Sequence, residues 1–262
     1  MSVRSLGLKQ RLRAGASTVG AWLSFADVAV AEIMVGTGFD WILIDTEHAP
    51  FTPESLQNVL AAFTGSPTVP IVRVPANDPV PIKQVLDLGA DGVLVPNVLT
   101  PQEASRAVAS CKYPPEGMRG FGPRRASEYY RRVQDYVATA NESVIVLLQI
   151  EHIDAVKSVQ DILAVPGIDV VCLGPNDLSG SMGLLGQVEH QAVREAIDRV
   201  LAEAHRRGLA TCLGMAFAPE VNRRWASAGV RFIIAAEDQT VLRLGASEAL
   251  RASRAAVGAA TS

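Results

Sequence analysis

The chain has 262 residues, 48% of them hydrophobic, and a formal net charge of −3. That is enough apolar material for one large core, and the mildly acidic balance argues against a nucleic-acid partner. No apolar run of about 18 residues exists to cross a membrane. The opening MSVRSLGLKQRLRAG has no apolar stretch of the secretory kind. Cys111, Cys172 and Cys212 form no paired spacing and read as ordinary small core residues, so a reducing, cytoplasmic setting is expected.

Short β-rich apolar runs fall at 18–23, 41–44, 69–74, 92–95, 144–150, 168–173, 209–213 and 231–235. Several are continuously apolar rather than alternating, the pattern of strands buried on both faces of a parallel sheet. Helical segments lie between them. Residues 27–36 place Val28, Ala31, Ile33 and Val35 ahead of Gly36 and Gly38. Thr52 and Pro53 supply an N-cap and a first-turn proline before Leu56, Val59, Leu60 and Phe63. Thr100-Pro101-Gln102-Glu103 has the capping-box pattern. An insertion rich in Pro, Gly and Arg follows at 112–125, and Ser127 is expected to cap a helix running to 137. Further helices are expected at 154–163, 191–207, 219–228 and 240–255. Strands and helices alternating eight times predict one (β/α)8 TIM barrel over residues 1–262. A doubly wound sheet is the alternative, but no GxGxxG occurs.

Barrel enzymes place their chemistry at the carboxyl ends of the strands. Those positions hold Trp22 and Ser24, then Asp45, Glu47 and His48, then Arg73, Gln149 and Glu151, and finally Asn176 and Asp177 in GPNDLS. Glu151 and Asp177, from neighbouring strands, suit a hard divalent cation such as Mg²⁺ or Mn²⁺, and they equally suit helix N-caps. The planar fork of Arg73 suits a carboxylate or enolate, and it equally suits an ion pair with Asp45 or Glu47. His48 is the histidine placed as a general base. His152 follows Glu151 directly and is expected to back the site residues, and His190 and His205 fall in polar helical contexts and are expected to be solvated. Asp87 on its own reads as a solvated helix residue. None of Lys9, Lys83, Lys112 and Lys157 ends a strand, so imine chemistry is not expected. The segments LGMAFAPE and AAEDQT lack a glycine cluster for phosphate.

The stretches GFDWILIDTEHAP, VPIVRVPANDP, IKQVLDLGADGVLVPNV, YPPEGMRGFGPRRAS, LLQIE and LGPNDLS, in this order, resemble the metal-dependent pyruvate aldolases of the HpcH/HpaI group. The resemblance covers roughly residues 5–250. It implies a divalent metal (Mg²⁺, Mn²⁺ or Co²⁺) held by Glu151 and Asp177, with His48 as base and Asp87 as its partner. It further implies that Arg73 steadies the pyruvate enolate and that Gln149 touches the keto acid. The position before the metal aspartate is often small in the family and is Asn176 here, so the donor contact is expected to differ. Family members assemble as homo-oligomers, commonly hexamers, and a trimer is the other expected state. The last helix packs on a neighbour in such assemblies, and the stripe of Val241, Leu242, Leu244 and Leu250 would allow that, though it equally fits an ordinary barrel helix.

The implied reaction is reversible cleavage of a 4-hydroxy-2-oxo acid into pyruvate, or a related 2-oxo acid, and an aldehyde. Two other readings stand beside it, a lyase for CoA thioesters and a non-catalytic barrel that binds a keto acid. A semialdehyde would want a second cationic contact, which the 119–125 loop is placed to supply unless it is a subunit contact.

Overall fold

The computed structural model describes residues 3–260. Eight strands, each hydrogen-bonded in parallel to the next, close into a barrel in sequence order. They are β1 (Thr18–Leu23), β2 (Trp41–Asp45), β3 (Val69–Arg73), β4 (Gly92–Val95), β5 (Ile145–Ile150), β6 (Val170–Leu173), β7 (Ala210–Gly214) and β8 (Phe232–Glu237). Every residue of β2, β3, β4, β5 and β6 is buried. The continuous apolar runs therefore mark strands covered on both faces, as expected.

The helices between them are α2 (Val28–Gly36), α3 (Pro53–Ala61), α4 (Pro79–Asp87), α5 (Pro101–Cys111), α6 (Val133–Ser143), α7 (Ile153–Lys157), α8 (Val159–Ile162), α9 (Pro175–Ser181), α10 (Gln191–Arg206) and α11 (Pro219–Ser227). A further helix, α12 (Asp238–Ala260), follows β8, and α1 (Val3–Arg13) precedes β1. The Thr100/Glu103 capping box forms: Glu103 N donates to Thr100 Oγ1 at 3.2 Å, and Thr100 N donates to Glu103 Oε2 at 3.1 Å. Thr52 caps α3 in the same reciprocal way with Ser55.

Two apolar layers result. One fills the space between strands and helices. The other lies inside the barrel, where Trp41 and Phe232 stack with ring centroids 3.7 Å apart. Gly20 makes room for this stack, because a Cβ there would lie 2.1 Å from Trp41 Cδ2. Leu8 and Leu12 of α1 join the inner layer. Lys9 anchors that helix, donating to Glu142 O and Val144 O at 2.9 Å and pairing with Asp169 at 3.0 Å. Cys172 and Cys212 sit side by side in the same inner layer, on paired positions of β6 and β7.

Three expectations are corrected. Ser127 caps no helix: its hydroxyl donates to Pro123 O at 2.5 Å and accepts from Tyr130 N at 3.1 Å, which ties a local turn. Glu128, Tyr129 and Tyr130 there adopt φ of 55°, 57° and 68°, the left-handed region, so no right-handed helix passes through them. The helix starts instead at Val133, without a side-chain cap. The single helix expected at 154–163 is broken at Ser158, where φ −99° and ψ 11° separate α7 from α8. The last helix is longer than its apolar stripe, beginning at Asp238 and reaching Ala260.

Candidate active site

The pairing of β2 with β3 sets Asp45 opposite Arg73 at the carboxyl end of the barrel. Arg73 Nε donates to Asp45 Oδ1 at 2.9 Å and Nη2 donates to Oδ2 at 2.8 Å. Nη1 lies 3.2 Å from Glu47 Oε2, and the guanidinium carbon sits 4.6 Å from the centroid of the Trp22 ring. The internal ion pair left open by the sequence is thus formed, with both acids. Burial pushes the Asp45 carboxyl up, but the hydrogen bonds and charge of Arg73, with the Glu47 and His48 amides, hold it below the ordinary aspartate range. Glu47 shifts the other way: burial dominates and raises it, against the pull of Arg73 and His48.

Asp45 also shapes the next turn. Its Oδ1 accepts from Glu47 N at 3.0 Å and from His48 N at 3.3 Å. His48 projects outward with Nε2 3.8 Å from Glu47 Oε2. One carboxylate therefore fixes both the arginine and the start of the histidine segment.

Glu151 follows β5, and Asp177 lies in the first turn of α9 after β6. Glu151 Oε1 accepts from Asn97 N at 2.9 Å, and Oε2 accepts from Gln149 Nε2. Burial, with the charges of Asp177 and Glu47, raises the Glu151 carboxyl above its ordinary range. The backbone at Gly174 closes over this residue, since a Cβ there would lie 2.5 Å from Glu151 Oε2. The Oε1 of Gln149 is buried without a hydrogen-bond partner among the described residues. A cavity of about 330 Å³ opens here, lined by Glu47, His48, Asn97, Glu151, His152 and Asp177 together with Gly180 and Ser181. No group of three or more His, Cys, Asp or Glu side chains converges on one point among the described residues. Glu47, Glu151 and Asp177 present carboxylate oxygens to this cavity.

Not every expected residue arrives there. Within one chain Asp87 accepts from Arg119 Nη2 at 2.7 Å and lines a different pocket, with Lys83, Arg124 and Arg125. Asn176 lines another pocket, with Trp22, Leu213 and Glu237. The 119–125 loop does not send a cation into the acidic cavity of its own chain. Arg119 is buried, 4.5 Å from the Tyr113 ring centroid, and Arg125 donates to Leu88 O at 2.6 Å. One contributor carried no sequence signal: Asn97 acts through its backbone amide. His152, which the sequence sets directly after Glu151, lines the same cavity.

A closed (β/α)8 barrel with an arginine, a histidine and several carboxylates gathered at its carboxyl rim has the architecture of a barrel enzyme. Residues 18–243 match the model of the family described as HpcH/HpaI aldolase/citrate lyase. The chain is 42% identical over 245 residues to a 4-hydroxy-2-oxo-heptane-1,7-dioate aldolase of Salmonella paratyphi C, covering 93% of this chain and 92% of that one. Among solved structures, an HpcH/HpaI aldolase/citrate lyase family protein from Burkholderia cenocepacia J2315 superposes with a TM-score of 0.90 at 36% identity, covering 95% of this chain and 99% of that one. The HpcH/HpaI aldolase from Desulfitobacterium hafniense DCB-2 gives a TM-score of 0.87 at 29% identity, covering 94% and 96%. The chain belongs to the HpcH/HpaI aldolase/citrate lyase family. Its activity is that of an aldolase, a carbon–carbon lyase, which sets aside the non-catalytic barrel.

Proposed function

We propose that this aldolase reversibly cleaves a 4-hydroxy-2-oxo acid to pyruvate, or a related 2-oxo acid, and an aldehyde, using a divalent cation (Mg²⁺, Mn²⁺ or Co²⁺) held by Glu151 and Asp177. The observation that carries the reading is Arg73, clamped by Asp45 at the rim beside a cavity whose walls are carboxylates. The donor set fits the cation. Glu151 is held at a raised protonation tendency by burial and by Asp177 and Glu47, so bringing a positive ion between these acids relieves their crowding. Glu151 and Asp177 would hold the cation through carboxylate oxygens, the donor type hard divalent cations favour. The bound cation would supply a Lewis acid for the 1-carboxylate and 2-keto oxygens.

The side chains divide the remaining work. His48 removes the proton from the substrate 4-hydroxyl. The C3–C4 bond then breaks, the aldehyde leaves, and the electron pair collects on the three-carbon fragment as an enolate. Arg73 donates to the oxygen on which that charge develops. Asp45 already holds its Nε and Nη2 and Glu47 lies against Nη1, so little reorganisation is needed as the charge appears. Gln149 sits beneath the keto acid and orients it. Asp87 is assigned as the partner of His48; within one chain its carboxylate accepts from Arg119 and lines a separate pocket, so that partnership would be made between copies in the homo-oligomer.

The same reading includes a homo-oligomer, hexamer or trimer, assembled through α12 and located in the cytoplasm. Support for α12 comes from Leu242 and Leu250, which are 61% and 53% exposed. No helix among the described residues is long and apolar enough to cross a membrane.

The test is proton exchange of the pyruvate methyl group in D₂O, followed by NMR with metal-stripped protein and again after adding Mg²⁺ or Mn²⁺. Exchange is expected only with metal, and is expected to fall about 10²-fold or more in His48→Ala and in Arg73→Ala. Exchange that is absent under both conditions, or unchanged in both variants, would overturn the reading.

A further inference from the structure

Asp87 is the last residue of α4, the end of a helix that disfavours an acid. A cation from outside the helix answers it. Arg119 Nη2 donates to Asp87 Oδ1 at 2.7 Å, and the loop also holds the backbone there, Ala126 N donating to Asp87 O at 3.1 Å. Asp87 Oδ2 accepts no hydrogen bond among the described residues. The loop runs close beside it, since a Cβ at Gly122 would lie 3.2 Å from that oxygen.

Arg119 is locked in place from several sides. Its side chain is 1% exposed, against 19% for Asp87. The guanidinium carbon lies 4.5 Å from the centroid of the Tyr113 ring and 5.8 Å from that of Tyr136. Tyr113 is in turn pinned to α6: its N–H donates to Asn141 Oδ1 at 2.7 Å, and its carbonyl accepts from Asn141 Nδ2 at 3.0 Å. The loop backbone is tied to the end of α5, Met118 N donating to Ala109 O and Arg119 N to Lys112 O, each at 2.8 Å. Gly117 permits that approach, because a Cβ there would collide with both carbonyl oxygens.

Such an arrangement is a poor device for stability. A guanidinium taken out of water needs its donors satisfied, yet Arg119 Nε is buried without a hydrogen-bond partner among the described residues. What the burial achieves is direction. A stacked, desolvated cation pins Oδ1 of Asp87 on one side, while the residue lines a cavity of about 580 Å³ with Lys83, Arg124, Arg125 and Tyr129 on the other.

We propose that Arg119 is a positioning residue for the reaction. It fixes Asp87 so that the free oxygen is aimed to meet the imidazole of His48 from a neighbouring copy, and it acts through Asp87 alone. This rests on the Asp87–His48 partnership given above.

The experiment follows pyruvate methyl exchange in D₂O by NMR, using the assembled enzyme with Mg²⁺ or Mn²⁺ over a series of pyruvate concentrations. The proteins are wild type, Asp87→Asn, Arg119→Gln and the double variant. Arg119→Gln is expected to lower kcat about tenfold and to leave the KM for pyruvate within about twofold, whereas a distorted site would move both. The same change made on top of Asp87→Asn is expected to cause no further loss, because the group it positions is already disabled. A second loss of similar size in the double variant, or a wild-type kcat in Arg119→Gln, would overturn the proposal. Should Arg119→Gln not fold, Arg119→Lys enters the same comparison, since lysine keeps the charge and loses the planar, stacking fork. The two levels separate cleanly. Absent exchange in wild type, or wild-type exchange in Asp87→Asn, defeats the underlying reading; a loss in Asp87→Asn with none in the Arg119 variants defeats the Arg119 assignment alone.

Discussion

Asp45 and Arg73 face each other in register on neighbouring strands and are joined by two hydrogen bonds of 2.9 and 2.8 Å. The same aspartate binds the amides of Glu47 and His48. Asp45 therefore positions two groups to which the proposed mechanism gives different tasks, Arg73 for the developing charge and His48 for the proton.

Asp45→Asn is expected to lower kcat/KM by about 10-fold to 10²-fold, with the loss mainly in kcat, because Arg73 loses its fixed direction. Steady-state cleavage of a 4-hydroxy-2-oxo acid reads this directly. The pH dependence of stability has a definite sign. The folded-state Asp45 carboxyl lies below its ordinary value of 3.8, so its contribution is present above that value and is lost as pH falls through the lowered one. The gap in unfolding free energy between wild type and variant should be full at neutral pH and should close in strong acid.

Glu151 has the opposite sign. Burial and its acidic neighbours raise its carboxyl above the ordinary 4.5, so the folded protein holds this proton more tightly than the unfolded chain. Metal-free wild type should lose stability as pH rises from that ordinary value through the raised one. Glu151→Gln removes the ionisation, and at neutral pH the metal-free variant should melt a few degrees higher than wild type. Thermal unfolding at neutral pH and near pH 4 tests both arms, the difference vanishing in the second.

Adding Mg²⁺ or Mn²⁺ at about 100 times its dissociation constant should stabilise wild type by about 2.7 kcal/mol. The same addition to Asp177→Asn or Glu151→Gln should produce little shift in Tm. Equal shifts in all three proteins would remove these two residues as the metal's holders.

Gly20→Ala should be strongly destabilising, by about 1–3 kcal/mol or more, because the new methyl group falls on the Trp41 indole. Urea unfolding measures it. The rim lies at the other end of β1, so the residual folded protein should retain its pyruvate exchange.

Much of this was legible in the sequence for a physical reason. Strands such as β2 and β5 are buried on both faces, so their apolar runs are unbroken and end where polar side chains reach the rim. Caps such as Thr100 with Glu103 announce helix starts through local chemistry. The N-terminal helix escaped because only part of it, around Leu8 and Leu12, is buried in the inner layer, and its other positions are largely charged or polar. Ser127 misled because a serine hydroxyl ties a turn as readily as it caps a helix. At the site, Glu151, Asp177, Arg73 and His48 were visible as polar ends of apolar runs. The amide of Asn97 was invisible, because a backbone donor leaves no mark on residue type. Asp87 was drawn in by resemblance, and only the fold revealed its attachment to Arg119.

The paired thiols of Cys172 and Cys212, sealed inside the barrel with Cys111 buried outside it, give the molecule a built-in clock. Reagents that alkylate thiols reach them only when strands part, so the rate of labelling counts openings of the barrel itself and ignores the breathing of surface loops. Substrate or cation at the rim, by holding β5 and β6 together, would register on that clock as slower labelling of Cys172, without any chemistry having to occur.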